Sequence, residues 1–110
     1  MSEMYKLINL LIKTHIPFEV VEDTFFEKTT PHIYYPCAEN PKCSIVCHEF
    51  SYGGKKGKLE SLGLTDYFTE VPDFDEPIGW QDAEEIFEAI LSDYLKGIKL
   101  WKRKRQKKLE

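Results

Sequence analysis

Long apolar segments are missing from this sequence. No run approaches the roughly 20 apolar residues that cross a bilayer. The opening stretch, MSEMYKLINLLIKTHIPF, carries Glu3 and two lysines and so lacks the unbroken apolar core of a secretory signal. The three cysteines are an odd number, which excludes a complete set of disulfides. These absences predict a protein of the reducing cytoplasm with no membrane interaction.

Motifs that define common enzyme classes are missing as well. No G-x-S-x-G nucleophile turn is present. The stretch GGKKGKL resembles a phosphate-binding loop, but three residues instead of four separate Gly53 from Gly57, and Leu59 replaces the magnesium-binding Ser or Thr. We therefore predict a solvated loop there, with no more than weak anion contact.

An acidic stretch matches part of a calcium-binding loop. Asp73, Asp75 and Glu84 have the spacing of the first, third and twelfth EF-hand positions. Pro77 and Ile78 stand where an oxygen ligand and a glycine are needed. The sequence therefore predicts no calcium site and, more generally, no cofactor.

All three cysteines lie in CAENPKCSIVCH, residues 37–48. If 43–50 is a strand, Cys43 and Cys47 share a face with Cα atoms about 13 Å apart, too far to bind one zinc ion. Cys37 and Cys43 flank a turn and could share a metal ion only with a further ligand such as His32. We predict small apolar side chains at these positions and no bound metal, with metal binding across the turn and a redox role as the alternatives.

Helical periodicity is clear at both ends of the chain. Apolar residues recur at helical spacing from Ser2, a suitable N-cap, to about Thr14, and Pro17 should end that helix by His15. Asp82, followed three residues later by Glu85, resembles a capping box and opens a second, longer helix. The apolar stripe of this helix comprises Ile86, Phe87, Ile90, Leu91, Tyr94, Leu95 and Ile98.

The middle of the chain has β character. PFEVVEDTFF, HIYYP and KCSIVCHEF predict a three-stranded antiparallel meander, with EKTTPH as a break between the first two strands. KLESLGL predicts a short helix closed by Gly63. Residues 65–80 predict a long acidic connection.

Together these elements predict one α+β domain at residues 1–98. It comprises an N-terminal helix, a three-stranded antiparallel meander, a short helix, and a long C-terminal helix packed on one sheet face. Residues 99–110 form a basic C-terminal helix end or tail, whose final two residues resemble a remnant of an expression vector.

Charge is distributed very unevenly along the chain. Residues 1–95 hold 7 Lys/Arg and 18 Asp/Glu, a formal charge of −11, whereas residues 96–110 hold 8 and 1, a charge of +7. Basic residues beside an aromatic suit a phosphate backbone. The corresponding hypothesis is nucleic-acid or anion contact through Lys55, Lys56, Lys58, Lys99, Trp101, Lys102, Arg103, Lys104 and Arg105.

Two other hypotheses use the carboxylates. In the first, the acidic connection contacts a protein through Asp66, Glu70, Asp73, Asp75 and Glu76. In the second, Glu22, Asp23 and Glu49 converge on a metal ion, as in a metal-dependent hydrolase. Solvated strand positions explain Glu22, Asp23 and Glu49 equally well.

Several short motifs occur in an order that resembles a known family. These are Pro17-Phe18-Glu19, Ser51-Tyr52-Gly53, Leu59-Glu60 with Leu62-Gly63-Leu64, Gly79, and Ala83-Glu84-Glu85-Ile86-Phe87. They are similar to those of small, uncharacterised proteins encoded by phages and prophages of Firmicutes. The resemblance implies an accessory protein in the cytoplasm of a bacterial host and no particular reaction.

Weighed together, these patterns favour a non-enzymatic phage or prophage accessory protein that works through protein contacts. An exposed sheet edge would allow a second copy of the chain to be the partner. Nucleic-acid association through the Gly/Lys loop and basic tail, and metal-dependent hydrolysis, are the alternatives.

Overall fold

The computed structural model describes residues 2–25, 27–63 and 73–109. The helices are α1 (Glu3–Lys13) and α2 (Ala83–Leu109), with one 3-10 turn at Gly54–Lys56. The strands are β1 (Glu19–Phe25), β2 (Lys28–Tyr35), β3 (Cys43–Val46), β4 (Leu59–Gly63) and β5 (Asp73–Gln81). None of the described helices is long and apolar enough to span a membrane.

The strands form one antiparallel sheet in the order β1-β2-β3-β4-β5. This confirms the α+β class and the antiparallel meander. The expectation of three strands is wrong, because the described residues form a sheet of five. Each strand pairs with its neighbours in sequence, so β1 and β5 are the two edges of the sheet.

The core lies between one face of the sheet and the two helices. Ile33 pairs with Ile45, and Ile45 pairs with Ser61, so one row of this face crosses three strands. Leu7 and Leu11 of α1 are fully buried against the same cluster. The other members are Met4, Ile16, Tyr35, Cys43, Leu59, Ala83, Ile86 and Ile90.

Local signals set both ends of α1 as predicted. The Ser2 hydroxyl accepts a hydrogen bond from the Tyr5 N–H at 3.3 Å, which satisfies one unpaired donor of the first turn. After Lys13 the chain turns through His15, whose φ of 56° is incompatible with a continuing helix. Pro17 follows, and the chain then enters β1.

The segment predicted as a short helix is strand β4, so that prediction is wrong. Leu59, Ser61 and Gly63 are buried, while Glu60 and Leu62 are only partly buried. This alternation has the period of two that a strand with one covered face requires. Gly63 does not cap a helix: a Cβ there would overlap the Lys42 carbonyl, which lies just before β3.

Two more segments differ from the expectation of irregular structure. EKTTPH does not break the sheet, because residues 28–32 belong to β2 and Pro31 pairs with Glu22. The second half of the acidic connection is β5, an edge strand, where Pro77 is tolerated. β3 ends at Val46 and does not extend to residue 50.

The long C-terminal helix is confirmed and continues through the basic residues. Its 27 residues correspond to a length of about 40 Å. Asp82 accepts a hydrogen bond from the Glu85 N–H at 2.9 Å, and Glu3 of α1 accepts one from the Ala83 N–H at 2.7 Å. Two carboxylates therefore stabilise the start of α2, where the helix dipole favours negative charge.

Candidate functional site

The Gly/Lys loop, residues 51–58, is a folded turn held by local hydrogen bonds. The Ser51 hydroxyl accepts from the His48 N–H at 2.9 Å and donates to the His48 carbonyl at 2.8 Å. The N–H groups of Lys56 and Lys58 both donate to the Gly53 carbonyl at 3.0 Å. The backbone therefore fixes where each lysine side chain begins.

A β-bulge in β5 brings Trp80 against this loop. Leu59 pairs with Gln81 but Ser61 pairs with Ile78, so Gly79 and Trp80 together oppose a single residue of β4. The extra residue bends the strand and turns its side chain away from the regular alternation. Trp80 has a φ of 56°, and its N–H donates to the Tyr52 carbonyl at 3.1 Å.

Gly79 explains how the two segments approach so closely. A Cβ at this position would overlap the Cβ of Tyr52. Trp80 and Lys58 are brought together at Gly53, since the Trp80 Cα and the Lys58 Cβ would each lie 3.0 Å from a Cβ built there. The bulge and the loop are thus packed backbone to backbone.

The outcome is an exposed surface that carries both aromatic rings and lysines. Trp80 is 63% exposed and Tyr52 is 62% exposed. Lys55 and Lys56 are exposed, and Lys58 is half-buried. We call these five residues the aromatic–lysine surface. Sequence reasoning identified the lysines but missed both aromatics, because the bulge that brings them together depends on the register between β4 and β5.

Carboxylates border this surface and are engaged with backbone N–H groups. Glu60 accepts a hydrogen bond from the Tyr52 N–H. Glu3 binds Ala83, and this hydrogen bond is the main cause that lowers the pKa of Glu3, with Lys6 and Lys58 lowering it further. Both carboxylates therefore stabilise the backbone around the lysines.

The basic part of α2 is far from the Gly/Lys loop. Lys99, Lys102 and Arg103 are exposed, and Lys99 lies about 24 Å along the helix axis from Ala83. Trp101, Lys104 and Arg105 belong to the same helix, and their side chains lie outside what the structure describes. The two predicted groups of cations are therefore separate sites.

The residues predicted for protein contact are only partly within the described chain. Asp66 and Glu70 lie outside the described residues. Asp73, Asp75 and Glu76 belong to the first part of edge strand β5, and their side chains are likewise outside the description.

The three carboxylates of the hydrolase hypothesis occupy different surroundings. Glu22 and Asp23 are consecutive residues of β1 and so face opposite sides of the sheet. Glu49 follows β3 and forms an ion pair with Lys28 at 3.3 Å. Among the residues that the structure describes, no group of three or more His, Cys, Asp or Glu side chains could hold a metal ion.

A polar cluster that the sequence did not reveal lies on the sheet face opposite the helices. Asp23 Oδ2 lies 2.6 Å from His32 Nδ1, and the rings of His32 and Tyr34 stack with centroids 4.1 Å apart. Burial, with the Asp23 charge as a second cause, raises the pKa of Tyr34. His32 Nε2 is buried without a hydrogen-bond partner, so this nitrogen is closed to a substrate.

The cysteines are free thiols in three different settings. Cys43 is buried in the core opposite Tyr35, and Cys37 is half-buried in the preceding loop. The Cys47 thiol points toward the Gly54 carbonyl at 3.9 Å, and burial raises its pKa.

A cleft of about 260 Å³ lies where α2 leaves the body. At its polar end the Tyr35 hydroxyl donates to Asp93 at 2.6 Å, and Lys42 donates to the same oxygen at 3.1 Å. Burial and the Asp93 hydrogen bond raise the pKa of Tyr35. These contacts satisfy the charges of the cleft and tie α2 to β2.

Comparison with known proteins adds no relative: no family model matches the chain, and no curated protein or solved structure is significantly similar to it. The resemblance to phage and prophage proteins therefore stays a prediction.

Proposed function

We propose that this chain is a non-enzymatic accessory protein that binds single-stranded nucleic acid on the aromatic–lysine surface. The observation that carries the proposal is Trp80, a large apolar ring that is 63% exposed on a bulge whose backbone packs against the Gly/Lys loop. Its backbone occupies the left-handed region, which costs about 1–2 kcal/mol for a residue other than glycine. Strain of this kind, when it is built into an exposed position, points to a role in binding.

Unpaired bases match the chemistry of this surface. Tyr52 and Trp80 offer two ring faces, and stacking of a base on an aromatic side chain contributes about 1–3 kcal/mol. Lys55 and Lys56 can neutralise phosphates of the backbone, with release of bound counterions. The bases of a duplex are already stacked on each other, so a duplex would gain only the attraction between its phosphates and the lysines.

The charge of the remaining chain limits the size of the contact. Residues 1–95 carry −11 overall, so a long nucleic acid spread over the body would be repelled. Within a Debye length of about 8–10 Å at physiological salt, the local lysines dominate. We therefore propose a contact with only a few nucleotides, without recognition of the base sequence.

A second candidate is contact with a protein through the sheet edges. Edge strand β1 exposes Val20 (44%) and Val21 (38%), and unpaired edges accept a further strand. The phage or prophage setting, in a bacterial cytoplasm, is proposed for either candidate. The metal-dependent hydrolase receives no support from the positions of its three carboxylates.

The direct test is the replacement Trp80→Ala, measured by fluorescence anisotropy with a labelled oligothymidylate at low salt. We expect affinity to fall about 10- to 100-fold, the equivalent of one lost base stack. Tyr5→Ala is the matched control, because Tyr5 is 59% exposed on α1, and it should leave binding unchanged.

Trp80→Gly separates binding from stability. Glycine adopts a positive φ without strain, so this variant should unfold at a higher urea concentration than Trp80→Ala while binding equally poorly. Wild-type protein that fails to bind the oligonucleotide at low salt, or equal losses in the Trp80 and Tyr5 variants, would overturn the proposal.

A further inference from the structure

Helix α2 carries opposite charges on its two halves. Its first turns expose Glu84, Glu85 and Glu88, and its later turns expose Lys99, Lys102 and Arg103. The first half is anchored in the core by Ala83, Ile86 and Ile90, which are buried on the other side of the helix. The acidic and basic side chains therefore lie on a surface that the body leaves accessible.

The outer residues of α2 follow one stripe. Spacings of three and four residues keep side chains on a single helix face. The stripe alternates between these spacings and consists of Glu85, Glu88, Ser92, Leu95, Lys99 and Lys102. All six are exposed or half-buried, and Leu95 is 48% exposed although it is apolar.

The charges of this stripe are complementary to those of an identical stripe that runs in the opposite direction. With a twofold axis between Ser92 and Leu95, an antiparallel second stripe places Lys102 opposite Glu85. The same register places Lys99 opposite Glu88. Because a twofold contact repeats each pair, four opposite-charge pairs form from one stripe.

We propose that two copies of this chain associate through α2, antiparallel, along this stripe. The occupant of the exposed helix face is thus a second copy. Opposite charges that face each other across an interface set orientation and partner choice, and the charges of this stripe favour only the antiparallel arrangement. A parallel pair would place Glu85 against Glu85 and Lys102 against Lys102.

The contact is polar, so the dimer is weak and sensitive to salt. Its pairs are exposed to solvent and screened at an ionic strength above physiological. In the dimer the two aromatic–lysine surfaces lie near the outer ends of the paired helices. Self-association is measured without nucleic acid, so its outcome is independent of the proposed binding function.

The test is sedimentation velocity over a range of protein concentrations at low and high salt. We expect wild type to dimerise at low salt, and Glu85→Lys/Glu88→Lys and Lys99→Glu/Lys102→Glu each to raise the dissociation constant at least about tenfold. Lys55→Glu/Lys56→Glu, which changes charge equally but away from α2, should dimerise as wild type does. Circular dichroism verifies that each variant keeps its helices.

Mixing the two α2 variants gives the decisive measurement. One has an acidic stripe and the other a basic stripe, so an equimolar mixture should form a heterodimer where neither variant self-associates. A wild-type protein that stays monomeric at millimolar concentration and low salt would overturn the proposal. Failure of the mixture to associate, with both variants folded, would overturn it as well.

Discussion

The Gly/Lys loop and the basic half of α2 have the same kind of charge in very different surroundings. In the loop, Lys55 and Lys56 stand on a turn fixed by Ser51, Gly53 and Gly57 and packed against a β-bulge. In α2, Lys99, Lys102 and Arg103 stand on a helix whose last buried core residue is Ile90.

The difference shows that charge alone does not define a binding site. The loop that carries the lysines also carries the exposed ring of Tyr52 and packs against the backbone of Trp80, so stacking can add to charge attraction. The helix cations share their element with the carboxylates of Glu85 and Glu88, which lie about three to five turns away. The first arrangement suits a nucleic acid, and the second suits a copy of itself.

The largest expected effect on stability comes from replacing a glycine of the Gly/Lys loop, and a glycine of α2 provides the comparison. A Cβ at Gly54 would overlap the His48 carbonyl and the Ser51 hydroxyl, whereas a Cβ at Gly97 of α2 meets no atom within 4 Å. We expect Gly54→Ala to lower the free energy of unfolding by about 1–3 kcal/mol. Gly97→Ala should raise it by about 1 kcal/mol, since glycine is unfavourable inside a helix. Urea denaturation measures both, and a loop variant as stable as wild type would contradict the packed turn.

Charge reversal at two matched pairs of neighbouring cations should have the next largest effect, which is on nucleic-acid affinity. Lys55→Glu/Lys56→Glu and Lys102→Glu/Arg103→Glu each change four units of charge on adjacent exposed residues. We expect the loop variant to lose at least about tenfold in affinity for a short oligothymidylate, and the helix variant less than about threefold. Anisotropy titrations at several salt concentrations measure this. Equal losses would mean that total charge, not the aromatic–lysine surface, governs binding.

The smallest effect concerns Glu3, which joins the start of α2 to α1. Glu3→Gln should cost about 1 kcal/mol of stability at neutral pH, because a charged acceptor at the helix N-terminus is lost. The folded protein lowers the pKa of Glu3, so this contribution is present above the unfolded pKa and disappears as pH falls through the folded value. Urea unfolding at neutral pH and near pH 3 should show the two proteins converging in acid. A difference that persists in acid would exclude the carboxylate as its source.

Elements with strong local signals were predictable. Ser2 and Pro17 delimit α1, and Asp82 with its apolar stripe delimits α2, because caps and helical periodicity act within a few residues. β4 was not predictable in the same way. LESLG is neutral between helix and strand, and only its place between β3 and β5 decides the outcome.

The residues of the candidate site were likewise predictable only where local sequence signals them. The lysines of the loop were visible as a charge cluster, and the glycines around them as a turn. Trp80 and Tyr52 were not recognised, because the β-bulge that joins them depends on the register between β4 and β5. The Asp23–His32 contact was equally hidden, since the two residues meet only through the pairing of β1 with β2.

By itself the sequence determined the α+β class, the two long helices, and an acidic body followed by a basic helix end. These follow from composition and from interactions between residues close in the chain. Only the tertiary structure decided that the described sheet has five strands and that Lys99 lies about 24 Å along the helix axis from Ala83. Strand register and the path of a helix away from the core depend on contacts between distant residues, which local patterns do not encode.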